Sequence, residues 1–351
     1  MTVNEIQKEL AQLDGLNEAA FCVIDFSTGK VVKREVDALQ KKIIDSNLAA
    51  NERIHEVDQA GNFQRQAPRF IKHLGSQELP IERNRYRLVL SKSDSFAQQV
   101  AIVRNLLDLD DDIEVTYVNP IRTKEGWQFS NDVDGVDPVL NVSYLGELYI
   151  ANDAEYNGRA TVPALIDILS GEIVNNDGRN LPRILETEFL DIATNKVDLY
   201  PINLREQIDQ LNDEIYDQLG NAVYEAGFAR SQVAYETAYN KAFAELAVLD
   251  ERLATEKFLL GDDITDADVR LFTTLVRFDT GYYQAFHVNK YLLTDFKNFW
   301  RYARDLYKIP AFRETTDFDD IKKGLQLGDF NDAENPYKLV AKGPSVVAWR
   351  E

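Results

Sequence analysis

The sequence predicts two unlike domains, an α/β domain followed by an all-helical one. Three observations carry that expectation. The chain has 351 residues, and at roughly 150 residues per domain that length suits two. Between residues 84 and 190, short apolar alternations interleave with stretches of helical spacing. After Tyr200-Pro201 the apolar period becomes helical and stays so.

Residues 1–80 read as an extension. Residues 20–26 form an apolar run that ends at Ser27-Thr28-Gly29, the pattern of a strand and hairpin. Gly61 to Pro80 is polar and irregular. Then Tyr86, Leu88 and Leu90 alternate with Arg85, Arg87 and Val89, which predicts a strand. Phe96, Val100, Val103 and Leu107 recur at helical spacing, so an amphipathic helix runs from Ser95 to about Asp108. The acidic run 108–114 reads as a solvated loop rather than a metal site. A second strand covers 113–118, and Leu140, Tyr144 and Leu148 mark a second helix. Residues 162–169 and 172–174 give two strands joined at Ser170-Gly171, with a short helix near Leu181. The order strand, helix, strand, helix, strand, strand, helix fits a thioredoxin-like sheet with helices on both faces, spanning 81–190.

The helical domain spans 200–330, with segments near 202–218, 230–256, 265–280 and 294–308 and a tail at 331–351. Gly261 and Pro310 read as breakers. At Thr265-Asp266-Ala267-Asp268 the threonine hydroxyl can accept a helix-start amide while Asp268 reaches back, a capping arrangement. Ile264 and Val269 stand where a hydrophobic staple would pack.

Composition narrows the function. Lys and Arg number 39 against 59 Asp and Glu, a net charge of −20. That sign is wrong for binding nucleic acid or an anionic membrane. No apolar run approaches the roughly 20 residues that span a bilayer, and the polar first sixteen residues do not make a signal peptide. The expectation is a soluble cytoplasmic protein. The single cysteine, Cys22, excludes an internal disulfide framework and a Cys-rich zinc site. His55, His73 and His287 fall in no metal-ligand spacing, so no metal is expected. Phosphate-binding glycine loops and Ser-His-Asp signatures are absent.

The motifs resemble those of the glutathione transferase superfamily, and within it the xi class, the glutathionyl-hydroquinone reductases. The resemblance rests on the stretches Gly126 to Phe129, Tyr156 to Leu165, Ile173 to Asn176, Asp198 to Pro201, Val223 to Phe228 and Asp266 to Asp279, in that order. It runs from about Arg69 to Pro344. It implies the glutathione transferase fold, glutathione or a related thiol as a bound substrate, and a homodimer. It also implies a cis bond before Pro163, with the Val162 backbone placed to pair with the glutathione cysteinyl backbone, and Trp127 as an aromatic wall. The other readings are a trans proline at a strand start and a tryptophan that only packs a loop.

Three departures stand out. Family members carry Cys-Pro-Trp-Ala at the start of the first helix, and that cysteine forms the mixed disulfide with glutathione. Here the matching residues begin at Asp94-Ser95, preceded by Ser93. Asp94 suits a helix cap, or alternatively a general base toward a bound thiol. Ser93 or Ser95 could hydrogen-bond the glutathione sulfur, as serines do in other classes of the superfamily, or simply add a capping hydroxyl. Second, where the family has Glu-Ser in the γ-glutamyl pocket, this chain has Asp177-Gly178. One lost charge-assisted hydrogen bond costs about 1.5–3 kcal/mol, so weaker glutathione binding is expected. Third, Tyr224 and Tyr282 match tyrosines of the quinone pocket, but Gly324-Leu325-Gln326 replaces a His-Tyr-Tyr. The tyrosines line a remodelled electrophile pocket or serve only as packing residues.

The leading expectation is therefore an enzyme that conjugates glutathione or a similar thiol to a hydrophobic or quinone-like electrophile, without the cysteine-dependent reductase reaction. The alternative is a non-catalytic ligand-binding or interaction protein on the same scaffold. A reductase that uses Cys22 is a third reading, set against a buried structural role for that residue.

Overall fold

The computed structural model describes residues 20–25, 30–35, 56–129, 136–137, 139–140, 142–328 and 335–350. Strands β1 (Ala20–Asp25) and β2 (Lys30–Glu35) pair antiparallel, with Ala20 opposite Glu35. This is the expected hairpin, although its turn and the Cys22 side chain lie outside the described residues.

The first domain is built on a four-stranded sheet in the order β4-β3-β5-β6. Central β3 (Tyr86–Leu90) is buried along its whole length. The alternation that marks it in the sequence is thus covered on both faces, as expected for a strand between helical layers. β3 runs parallel to β4 (Ile113–Tyr117) and antiparallel to β5 (Ala164–Asp167), which pairs antiparallel with β6 (Glu172–Asn175). Helix α1 (Ser95–Leu106) follows β3, and α2 (Leu145–Asn152) and α3 (Leu181–Thr187) complete the layers. Leu140 and Tyr144, expected inside the second helix, precede α2, because the Glu147 carboxylate ties the Ser143 and Tyr144 amides at 3.0 and 2.8 Å and starts the helix at Leu145. β5 starts two residues later than expected, after the cis peptide between Val162 and Pro163.

The second domain is helical. α4 (Arg205–Glu214) runs through a π-helical stretch, Ile215–Gly220, into α5 (Asn221–Phe228). The long α6 (Gln232–Arg252) precedes the buried α7 (Asp266–Arg277), which continues into a π-helical turn, Phe278–Tyr282. The α7 capping box is formed, with Asp268 accepting the Thr265 amide at 2.8 Å. α8 (Lys297–Tyr307) is followed by α9 (Pro310–Glu314) and α10 (Phe318–Leu327). Pro310 is therefore a helix starter as well as a breaker, since its missing amide costs nothing in the first turn.

The domains are joined by buried polar contacts as well as apolar ones. Arg183 of α3 pairs with fully buried Asp266 at 2.7 Å, and Asn212 of α4 donates to the same carboxylate at 2.8 Å. Gln99 of α1 donates to Thr273 of α7 at 3.1 Å. The C-terminal segment returns to this body, with Trp349 packed edge-on against Trp300 at 5.1 Å.

Candidate functional site

A cavity of about 470 Å³ opens between the two domains. The start of α1 forms its floor. Asp94 caps that helix, its carboxylate accepting the Ala97 amide at 2.8 Å. Burial pushes the Asp94 carboxyl above its ordinary range, against the amide hydrogen bonds and the charges of Arg277 and Arg65. Four of the five residues expected to hold glutathione share this wall: Trp127, Val162, Asp177 and Gly178. The fifth, Pro163, follows Val162 through the cis bond and packs beside Gly178.

The residues around Asp177 are already engaged with one another. Its carboxylate accepts the Arg179 amide at 3.1 Å and the Asn180 side chain at 2.6 Å. The Gly178 amide donates to the Asn176 carbonyl at 3.1 Å. A Cβ at position 178 would stand 3.0 Å from Phe96 Cβ and 3.1 Å from Pro163 Cδ. Phe96 thus occupies the space a larger residue there would need.

The two serines separate. Ser93 lines the cavity, but its hydroxyl donates to the Pro120 carbonyl at 3.0 Å and lies 2.9 Å from the Ser91 hydroxyl. Ser95 is buried behind the wall, beside the Tyr282 phenol. Tyr224 and Tyr282 separate likewise. Tyr224 faces the cavity, while Tyr282 is 1 % exposed, edge-on to Tyr224 at 5.7 Å and stacked on Phe286 at 5.5 Å. Tyr282 therefore supports the pocket wall from behind, because its π-helical turn is packed inside the helical domain. Burial holds its phenol well above the usual range.

Gly324 and Leu325 of α10 line the cavity where the electrophile pocket was expected. A Cβ on Gly324 would meet Ser93 Cβ at 2.2 Å, so α10 lies directly on the loop that presents Asp94. The larger side chain of a His-Tyr-Tyr pattern has no room here.

Two groups of site residues were not singled out from the sequence. Glu56, Phe63, Arg65, Gln66, Ala67 and Pro68 line the cavity although they belong to the irregular extension. That segment is tied to the first domain by Gln66, which accepts the Arg159 amide at 2.8 Å, and to the second by the Gly61 carbonyl, which accepts the Arg230 amide at 2.9 Å. Glycine is required at 61, with φ +87° and the Arg230 backbone 2.9 Å from a would-be Cβ. Arg277, fully buried on α7, donates to the backbone carbonyls of Ser93, Asp94 and Lys92 at 3.1, 3.0 and 3.2 Å and to the Gln98 side chain. A charged residue inside the apolar stripe of α7 was the available signal.

With this geometry in place, comparison with known proteins is decisive. Residues 232–305 match the glutathione S-transferase C-terminal domain family. Over 295 residues the chain is 36% identical to the glutathionyl-hydroquinone reductase YqjG of Escherichia coli, covering 81% of this chain and 89% of that protein. It belongs to the xi class of the glutathione transferase superfamily. It is also 39% identical over 265 residues to the glutathionyl-hydroquinone reductase PcpF of Sphingobium chlorophenolicum, covering 75% of this chain and 84% of that one. The xi transferase of Phanerochaete chrysosporium superposes with a TM-score of 0.77 at 36% identity, over 81% of this chain and 98% of its own. The glutathione-bound structure of YqjG superposes with a TM-score of 0.73 at 34% identity, over 82% and 95%. Among the described residues of this xi-class chain, no cluster of three or more His, Cys, Asp or Glu could hold a metal, and no helix is long and apolar enough to cross a membrane.

Proposed function

We propose that this xi-class protein binds glutathione or a related γ-glutamyl thiol and conjugates it to a hydrophobic, quinone-like electrophile, without the cysteine-dependent reductase reaction. The observation that carries the proposal is Asp94, a carboxylate facing the cavity at the start of α1. Thiol–disulfide exchange needs a protein sulfur there, and no described side chain lining the cavity has one. Trp127, Val162 and Asp177 support thiol binding, and Tyr224 supports a flat acceptor beside it.

Asp94 serves as general base in this reading. The thiol proton passes to its carboxylate as the C–S bond forms, and the displaced ring electrons move onto a quinone oxygen. Burial raises the basicity of the carboxylate, which suits it to a weak acid such as a thiol. Ser93 and Ser95 are not given this role, since one hydroxyl is committed to Pro120 and the other lies behind the wall. Calorimetric titration with glutathione at millimolar concentration, beside a conjugation assay with a model quinone, tests the proposal. Absence of binding heat refutes it.

The committed serine hydroxyls also favour a second reading, a non-catalytic binding protein. A conjugation rate above background that falls in Asp94→Asn rules that out. Retained activity in Cys22→Ala excludes use of the lone cysteine. For the working unit we propose a cytoplasmic homodimer, by analogy with the class; light scattering reads the mass.

A further inference from the structure

The cavity gathers four arginines, Arg65, Arg122, Arg159 and Arg179, in a chain whose net charge is −20. Arg159 is answered by Glu56 and Arg179 by Asp213, each at 2.5 Å, and Arg122 is also engaged. Arg65 differs. Its Nε donates to the neutral Asn221 side chain at 2.9 Å and one of its terminal nitrogens is buried without a hydrogen-bond partner, while the Asp94 carboxyl feels its charge with no hydrogen bond between the two. Three rings frame its guanidinium: Tyr224 at 4.9 Å, Phe96 at 5.4 Å and Phe63 at 5.5 Å. A half-buried guanidinium held this way keeps one buried N–H donor free for a ligand from the cavity. Asn221 and Tyr224 both lie on α5, so the group sits on the helical-domain side of the cavity, where the electrophile is placed.

We propose that Arg65 is the anion-recognition point of the electrophile subsite, so that the preferred second substrate is a flat aromatic ring bearing a carboxylate. The Asn221 contact fixes Nε and orients the planar fork, which matches a carboxylate in a two-point contact. Phe96 and Tyr224 frame the approach, a geometry suited to a flat ring joined to the anion. The assignment to the electrophile rests on the conjugation reading above, whereas the anion site stands on the Arg65 geometry alone.

The test is calorimetric titration of the full-length protein with 2,5-dihydroxybenzoate and with hydroquinone, which differ by one carboxylate. Each titration is run with and without saturating glutathione. The expected result is at least tenfold tighter binding of the carboxylated ring, unchanged by glutathione. That preference is lost in Arg65→Met and reduced in Arg65→Lys, which keeps the charge but not the fork. Arg65→Gln, checked by circular dichroism, replaces Arg65→Met if the latter fails to fold. Equal affinities, or a preference that survives loss of the guanidinium, overturn the proposal. So does displacement of the carboxylate by glutathione, which would give Arg65 to the thiol's own carboxyl groups. Failure of the conjugation reading is seen separately, as no glutathione heat with the carboxylate preference intact.

Discussion

Asp94 accepts the Ala97 amide at 2.8 Å while facing the interdomain cavity, so one side chain both caps α1 and lines the space between the domains. The two roles separate by mutation. Asparagine caps as well as aspartate, whereas alanine does not. Asp94→Ala should cost about 1 kcal/mol of stability at pH 7. Asp94→Asn should cost nothing or stabilise. Burial raises the Asp94 carboxyl, so the native state favours the neutral form. Native stability is therefore penalised as pH rises above the ordinary carboxyl range near 3.9. The asparagine variant escapes that penalty, and its advantage should shrink on acidification. Denaturant melts at pH 4 and pH 7 read both effects. A variant ordering with asparagine below alanine at neutral pH contradicts the capping role. Activity should still fall about a hundredfold in Asp94→Asn, since the base is gone.

Asp94→Cys should introduce a reactive thiol. A cysteine at this helix start would meet the Ala97 amide and the positive end of the α1 dipole, which lower a thiol's pKa. Incubation with oxidised glutathione should add one glutathionyl group, as the new thiolate attacks the disulfide and expels glutathione thiolate. Mass spectrometry in a Cys22→Ala background reads the adduct. Modification no faster than that of an exposed model thiol would show that the site does not activate sulfur.

The strands and helices of the first domain were legible because apolar period reports burial, and the α7 capping box because cap residues act locally. What could not be read depends on contacts distant in sequence. Arg65 and Phe63 sit in a stretch with no period, and long-range ties such as Gln66 to Arg159 and Gly61 to Arg230 bring that stretch across the cavity. Ser95 and Tyr282 matched site motifs yet meet each other behind the wall. A single residue's step along the chain takes Ser95 away from the cavity that Asp94 faces, and no spacing rule distinguishes the two.

Arg277 is the clearest case of a residue acting on the site through others. Its guanidinium serves three backbone carbonyls of the Lys92–Asp94 loop, of which the Asp94 carbonyl also accepts the Gln98 amide at 3.2 Å. Arg277→Met should strand the Lys92 and Ser93 carbonyls, at about 1–3 kcal/mol each before relaxation. Arg277→Lys keeps the charge but not the fork, and should recover only part of the loss. Thermal melts order the three proteins. Glutathione titration should weaken alongside stability, because the loop carries Asp94. A methionine variant as stable as the parent would remove the anchoring role.

Asp279 gives a pH-dependent test remote from the chemistry. It lies in the π-helical turn after α7 and accepts the Leu293 amide at 2.7 Å. Burial, aided by the charge of Asp295, pushes its carboxyl up to about 6. The neutral form is the one the fold favours, so this residue's contribution is most favourable below about pH 4. It is lost as pH rises through 6. An upward shift of this size corresponds to about 3 kcal/mol between those limits. Asp279→Asn keeps an acceptor for Leu293 and does not titrate. The stability of wild type relative to Asp279→Asn should therefore decline between pH 4 and pH 7 and level off above it. Urea melts across that range measure the difference directly. A gap that stays constant with pH, or that moves in favour of the wild type, would show that Asp279 is not held neutral by its surroundings.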